Sequence, residues 1–232
     1  MSKLDEQRRN ILIKALSYGM FATGAAGLSV PAWSMGRFLE PLPPGKSIYR
    51  LSGEVKIDGR QATLDTAVTP NSVIETGAGG KIIFAVGKDA FILREHGKLE
   101  MQSEGAILTG LRLITGKLLS VFGKRQSNNS LVMKTRVSTI GIRGTGIYVE
   151  SEPDQTYVCT CYGVTHLSSD IDKESKETIS TDHHESPRYI LANAPKGKSI
   201  REAPIINHTI EELDLIEALV GRSTPFIDDD NY

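Results

Sequence analysis

Short runs of alternating apolar and polar residues fill the middle of the chain. In residues 48–59, the odd-numbered positions from Leu51 to Ile57 are predicted to share one face of a strand, while the charged positions 54, 56 and 58 share the other. No helical periodicity appears from here to residue 167, so we expect an all-β body. The later candidate strands are short and rich in Ile, Val, Thr and Leu: residues 72–76, 81–86, 90–94, 99–103, 106–113, 116–122, 131–135, 137–142, 146–151 and 156–167.

Glycine marks the expected turns between these strands. Of the 22 glycines, 15 lie between Gly53 and Gly163, which is about one every eight residues. This spacing is typical of a chain built from short strands. The pair Asp58-Gly59 predicts a two-residue hairpin turn.

One amphipathic helix is predicted near the C-terminus, within residues 207–221. Thr209 is expected to be the N-cap, Glu212 to reach back to it in a capping box, and Gly221 to end the helix. The apolar stripe of this helix would dock on the β body, and binding of a partner is the alternative. The stripe consists of Ile210, Leu213, Ile216, Leu219 and Val220.

The first 34 residues have the organisation of an export signal, which we separate from the fold. The two arginines resemble a twin-arginine signal, while an ordinary secretory signal and an uncleaved anchor are the alternatives. The apolar stretch is shorter than the about 20 residues that a membrane span needs. In chain order, the features are Arg8 and Arg9, the apolar residues 15–30, and Ala32 and Ser34 at positions −3 and −1 of a cut before Met35.

The composition excludes several classes of protein. A net charge of −1 provides no field to attract nucleic acid, so we expect no nucleic-acid partner, and membrane contact only through an uncleaved N-terminal segment. Two cysteines in 232 residues cannot form a disulfide-rich scaffold. The chain has no nucleophile elbow, phosphate loop or metalloprotease helix motif, and its carboxylates are scattered. We therefore expect a non-catalytic protein.

Two segments of the chain resemble the FecR domain, an extracytoplasmic domain named for iron-transport regulators. The first comprises residues 68–77 and 80–84, and the second comprises residues 137–149. Residues 116–120 resemble the middle strand of the family, so the resemblance covers about residues 47–167. The motif residues are Thr76, Gly77, Ile142, Arg143, Gly144 and Thr145, of which the last four form the most specific element.

The resemblance implies an all-β module, solenoid-like or sandwich-like, that acts outside the cytoplasm and contacts an envelope or periplasmic protein. In members that regulate sigma factors, an anti-sigma region and one membrane span precede the domain. Few residues precede the apolar stretch here, so we do not expect direct transcriptional regulation. We expect Arg143 to clamp a structural turn through carboxylates or carbonyls, and ligand binding by Arg143 is the alternative.

Cys159 and Cys161 are the residues at which specific chemistry is predicted. Strand residues two positions apart point to the same face, and their Cα atoms lie about 6.6 Å apart, near the limit for a disulfide. Two thiolates on one face can instead chelate a metal ion, with zinc ahead of copper or an iron–sulfur cluster. Buried thiols without a metal are the alternative.

A predicted hairpin brings two histidines towards these cysteines. Residues 168–176 form its polar loop and residues 177–181 return as a strand. A turn centred on Asp172 makes opposed positions sum to about 344, which places Cys161 opposite His183. His184 can join only where the chain leaves strand geometry. The expected metal ligands are Cys159, Cys161, His183 and His184, whereas His96, His166 and His208 are expected to lie outside the site.

These patterns predict six segments and two candidate functions. The leading hypothesis is an exported, non-catalytic FecR-type binding or signalling module of the bacterial cell envelope, located in the periplasm. The alternative is a periplasmic Cys2His2 protein whose metal has a structural or redox role. The segments are the signal or anchor (1–34), a connector (35–47), the FecR-like β domain (48–167), a hairpin extension (168–206), the helix (207–221) and a flexible tail (222–232).

Overall fold

The computed structural model describes residues 40–125, 131–184 and 186–228. The export signal predicted in residues 1–34, with Arg8, Arg9, Ala32 and Ser34, lies outside the described residues, and so do the first connector residues and the last four residues of the tail. Within these described ranges, no helix is long and apolar enough to cross a membrane.

The described part of the chain consists of fourteen strands and one α-helix, which confirms the predicted all-β fold. A short 3-10 helix, Pro225–Asp228, follows the α-helix. The strands are β1 (Ile48–Ser52), β2 (Val55–Ile57), β3 (Arg60–Gln61), β4 (Val73–Thr76), β5 (Lys81–Val86), β6 (Asp89–Leu93), β7 (Lys98–Glu104), β8 (Ile107–Val121), β9 (Leu131–Lys134), β10 (Ser138–Ser151), β11 (Gln155–Ser169), β12 (Lys176–Thr181), β13 (Arg188–Leu191) and β14 (Ile200–Glu202), and the helix is α1 (Ile210–Leu219).

All described strands belong to one hydrogen-bonded sheet. The main path has the order β14-β13-β11-β10-β9-β8-β7-β4-β2-β3, and β1, β5, β6 and β12 pair beside it. The pairings are antiparallel except for that of β8 with β9. This pattern favours the sandwich-like alternative over a solenoid of stacked parallel coils.

The turn predictions based on glycine are partly confirmed. Asp58 (φ +52°) and Gly59 (φ +75°) close the β2–β3 hairpin as expected. The first predicted strand is two strands, because Gly53 (φ +65°) interrupts it between β1 and β2. β8 and β10, by contrast, each continue through a predicted break, since their glycines lie inside the strands.

Strand side chains alternate between two apolar clusters on opposite faces of the sheet. An inner cluster contains Phe84, Leu118, Val149 and Val158, whereas the adjacent residues Ile83, Leu119, Tyr148 and Cys159 belong to an outer cluster. Helix α1 covers the outer cluster with the predicted stripe, of which Leu213, Ile216 and Leu219 are buried. The two-residue period of the strands thus produces both cores.

The predicted capping box of α1 is only half formed. The Glu212 N–H donates to Thr209 Oγ1 at 3.3 Å, and Gly221 (φ +71°) follows the end of the helix. The Glu212 carboxylate does not return to Thr209. It accepts from Arg94 Nη2 at 2.7 Å and Lys81 Nζ at 3.3 Å, because two cations on the sheet offer charge-assisted bonds. Glu212 therefore joins α1 to the sheet.

The pairing of β10 with β11 is interrupted by bulges. Arg143 lies opposite Val164 and Ile147 opposite Thr160, while Gly146 lies opposite Tyr162. Gly144, Thr145 and Cys161 consequently have no directly opposed residue in this ladder. The bulge requires close backbone contact, since a Cβ on Gly163 (φ +88°) would lie 2.8 Å from the Gly144 carbonyl oxygen.

We expect Gly163→Ala to lower the free energy of unfolding by about 2–4 kcal/mol, because the left-handed backbone and the backbone contact both oppose a methyl group. Gly105→Ala is the matched control, since Gly105 also has positive φ (+63°) but open space where its Cβ would lie. The control should cost only about 1–2 kcal/mol. Urea denaturation measures the free energy of unfolding of both variants. Equal losses would show that the close approach of Gly163 to the Gly144 carbonyl contributes nothing.

Candidate metal centre

Cys159 and Cys161 lie in the middle of β11 and point into the outer cluster, as the spacing predicted. Both are fully buried and both are free thiols. Cys159 is opposed by Tyr148 on β10, whereas Cys161 occupies the bulge. Both thiols are therefore shielded from solvent by the sheet and the outer cluster.

On the side of β11 that faces away from β10, the strand pairing has a gap beside the two cysteines. β13 pairs with Gln155–Val158 and β12 pairs with Gly163–Ser168, so neither strand pairs with residues 159–162 on this side. The connection from β12 to β13 contains His183 and His184. It begins on one side of the gap, at the end of β12, and ends on the other side, at the start of β13. This topology brings the connection, and His184 with it, to the cysteines.

The predicted hairpin register is confirmed, but the strand ends too early to use His183. Gly163 lies opposite Thr181 and Val164 opposite Ser180, which are pairs that sum to 344. β12 ends at Thr181, whose Oγ1 accepts the His183 N–H at 3.1 Å in a bend. The ring of His183 then packs 4.9 Å from that of Phe226. Cys161 is therefore not opposed by His183, contrary to the sequence-based expectation.

Four residues within the described ranges bring possible ligand atoms together: Cys159, Cys161, His184 and His208. These atoms all lie within 4.8 Å of one another. His184 joins after the chain has left strand geometry, as its position required. His208 replaces His183 in the set, which corrects the expectation that His208 lies outside the site.

The sequence does not identify His208 as a ligand, because no pattern of neighbouring residues distinguishes it. It immediately precedes the N-cap Thr209, and its side chain is only 9% exposed. Its path to the site depends on contacts between the segment before α1 and the distant strand β10. A histidine next to an N-cap residue is ordinary in a sequence. The feature that distinguishes His208 is its burial, which only the structure shows.

The spacing of the four ligand atoms suits a tetrahedral metal ion. His184 Nδ1 lies 2.9 Å from His208 Nε2 and 4.0 Å from Cys159 Sγ. Tetrahedral bonds of about 2.3 Å to sulfur and about 2.0 Å to nitrogen separate the ligand atoms by about 3.3–3.8 Å. These two distances differ from the tetrahedral values by about half an ångström or less, and the widest separation of 4.8 Å would have to shrink by about 1 Å for the cluster to hold a metal ion.

The imidazole of His208 is oriented as a metal ligand would be. Its Nδ1 lies 2.7 Å from the carbonyl oxygen of Ile206, to which it donates, so Nε2 faces the other three residues. Ligating histidines commonly donate their second nitrogen to a carbonyl in this way. His184 differs, because its Nε2 is buried and has no hydrogen-bond partner in the described part of the chain.

The surroundings of the two thiols shift their pKa values in opposite directions. Hydrogen bonding from the Cys161 thiol, followed by that from His184 and His208, lowers the pKa of Cys159 despite its burial. Burial, together with the neighbouring Cys159, raises the pKa of Cys161. Without a metal the pair thus favours one thiolate beside one thiol, and a thiolate is the form of cysteine that binds metals.

The two motifs that resemble the FecR domain differ in structure: Thr76-Gly77 lies at a turn after β4, whereas residues 142–145 lie within β10 at the bulge next to Cys161. Thr76 Oγ1 donates to the Arg94 carbonyl at 2.6 Å and accepts the Gly97 N–H at 2.8 Å, which fixes the Thr76-Gly77 turn. Ile142 is buried, but the Arg143 side chain is exposed and forms no ion pair or hydrogen bond with another described residue. The clamping role expected of Arg143 is filled by Thr145, whose buried Oγ1 donates to the Val164 carbonyl at 3.2 Å.

No protein-family model matches the chain, and no curated protein matches it. Among solved structures, two crystal structures of a candidate anti-sigma factor from Parabacteroides distasonis, at 1.65 and 2.50 Å resolution, are similar to it. Each has 11% sequence identity and a TM-score of 0.46, with 56% of this chain aligned. The aligned region spans 58% of that protein, which is less than two thirds of its length.

We expect Arg143→Glu to change the free energy of unfolding by less than about 0.5 kcal/mol, because the side chain is exposed and unpaired within the described part. Thr145→Val, two residues away, removes a buried hydrogen bond at nearly constant volume and should cost about 1–3 kcal/mol. Urea denaturation of both variants checks the assignment. A larger loss of unfolding free energy in Arg143→Glu than in Thr145→Val would show that Arg143 is the clamp.

Proposed function

We propose that this chain is an exported, FecR-like binding module in which Cys159, Cys161, His184 and His208 hold one structural zinc ion. The observation that carries this proposal is the convergence of four ligand atoms within 4.8 Å from three separate parts of the chain. Two sulfur and two nitrogen donors form a set that zinc occupies in structural sites. The same donors suit hard cations such as Mg²⁺ poorly.

The ligand count supports a structural role rather than a catalytic one. Catalytic zinc sites have three protein ligands and an open position for water or substrate, whereas structural sites are closed by four. Three of the four residues here are buried, which leaves little access for a substrate. A non-catalytic role is therefore part of the proposal.

A bound ion would connect three segments that backbone hydrogen bonds leave apart. The cysteines belong to β11, His184 to the β12–β13 connection, and His208 to the segment before α1. Since a metal binds its assembled ligands and not the unfolded chain, its binding free energy adds to that of folding. The ion would hold the gap beside β11 closed and fix the start of α1.

Export to the periplasm and contact with an envelope protein complete the proposal. They are supported by Arg8 and Arg9 before an apolar stretch and by the FecR-like motifs, especially residues 142–145. Arg143 offers an exposed guanidinium beside the bulge, although Thr145 and Ile147 are buried. The twin-arginine route is associated with folded, cofactor-loaded cargo, which agrees with a metal acquired before export.

Elemental analysis of the protein purified under reducing conditions tests the zinc site. We expect about one equivalent of zinc in the unmodified chain, and a loss of most of it in His184→Gln and in His208→Gln, because each variant removes one of four ligands. His183→Gln is the matched control, since it alters the adjacent histidine that the structure places outside the cluster.

Two outcomes would contradict the proposal in different ways. Less than about a tenth of an equivalent of any transition metal, with both thiols intact, would exclude a resident metal ion. Loss of zinc in His183→Gln with retention in His208→Gln would show that the ligands are those expected from the sequence.

A further inference from the structure

The ring of His208 is held by a buried tyrosine that does not belong to the ligand set. The ring of Tyr148 stacks on that of His208, with centroids 4.6 Å apart and planes 17° from parallel. Tyr148 is fully buried on β10, directly opposite Cys159 on β11. The tyrosine thus forms a wall of the site on which the histidine ring rests.

A single carboxylate oxygen fixes both this wall and the residue before His208. Glu150 Oε1 accepts a hydrogen bond from the Tyr148 hydroxyl at 2.6 Å and another from Asn207 Nδ2 at 2.7 Å. Glu150 is 6% exposed, so both bonds form away from competing water. Its other oxygen lies 3.9 Å from Lys117 Nζ.

The backbone at Asn207 requires such support. Asn207 has φ +58°, a left-handed conformation that non-glycine residues adopt at a cost and that surrounding contacts must maintain. Besides the bond to Glu150, the Asn207 carbonyl accepts from Arg94 Nη2 at 2.7 Å. This turn directs the next residue, His208, back towards β11, while helix α1 starts immediately afterwards.

These contacts restrain His208 at two places. Glu150 restrains the ring through Tyr148 and the backbone through Asn207, yet its carboxylate is not one of the four ligand groups. Contacts that orient ligating residues commonly change metal affinity by about 10–100-fold when they are removed. Packing of α1 alone would not require both bonds to fall on one oxygen next to the histidine.

We propose that Glu150 is a positioning residue of the metal centre, which sets His208 Nε2 towards the other ligands through Tyr148 and Asn207. This inference rests on the proposed function, because it concerns the affinity of that site for its ion. Glu150 does not bind the metal. It restricts the orientation of one ligand, His208.

Competition between the full chain and a chelator for Co²⁺ measures this role. We expect Glu150→Ala to weaken Co²⁺ binding about 10–100-fold and to alter the visible absorption of the bound ion, because His208 is no longer held in one orientation. Glu150→Gln should restore most of the affinity, since both hydrogen bonds use Oε1 and an amide oxygen can accept both.

Two further variants separate positioning from general stability. Asn207→Gly keeps the left-handed backbone but removes the bond to Glu150, so it should weaken binding in the same direction even if Glu150→Ala folds poorly. Glu100→Ala removes another carboxylate of the sheet, one paired with Arg112 on the neighbouring strand at 3.7 Å, and should leave Co²⁺ affinity unchanged.

The outcomes distinguish this inference from the proposed function. If the unmodified chain binds no Co²⁺ or Zn²⁺, both are overturned. If the unmodified chain binds but folded Glu150→Ala or Asn207→Gly binds equally tightly with the same spectrum, only the positioning role is overturned. A loss of affinity in Glu100→Ala equal to that in Glu150→Ala would also overturn it, because the effect would then be one of stability.

Discussion

The antiparallel pairing of β10 with β11 is the interaction on which the rest of the molecule depends. β10 lies inside the sheet, with β8 and β9 on one side and β11 on the other, and the ladder extends from Ser138 to Ser151. Its register decides which side chains reach the outer cluster. A slip of one residue between the two strands would place Tyr148 and Cys159 on opposite faces of the sheet, so the wall and the first ligand of the candidate site would no longer meet.

The other side of β11 explains why a site can form there at all. β12 and β13 divide that edge between them and leave residues 159–162 without a strand partner, next to a bulge that already displaces Cys161. An open strand edge is a liability that proteins usually cover. Here the histidine-containing connection and the segment before α1 bring His184 and His208 to the cysteines, so the candidate site lies at the part of the edge that has no strand partner.

The sequence predicted the features that depend on near neighbours. The alternating pattern located most strands, and the polar loop around Asp172 gave the correct register, because the Asp172 carboxylate accepts from Ser175 Oγ at 2.6 Å and from the Gly197 N–H at 2.7 Å and so fixes the turn. The ligand set was predicted only in part. His208 reaches the cysteines through the left-handed turn at Asn207 and its contacts with β10, and no short-range pattern encodes such a tertiary path.

The polar composition of the site is difficult to explain by packing alone. The Cys161 thiol lies 3.8 Å from the Cys159 carbonyl, a weak hydrogen bond, and His184 Nε2 is buried without a partner in the described part of the chain. A buried polar atom that lacks a partner costs about 1–3 kcal/mol, whereas aliphatic side chains of similar size would fill the same space without that cost. Coordination through His184 Nδ1 would not relieve this cost at Nε2, but it would join three buried groups and one half-buried group to one ion. The stability of the outer cluster should therefore depend on the ion more than that of the inner cluster, which contributes no ligand.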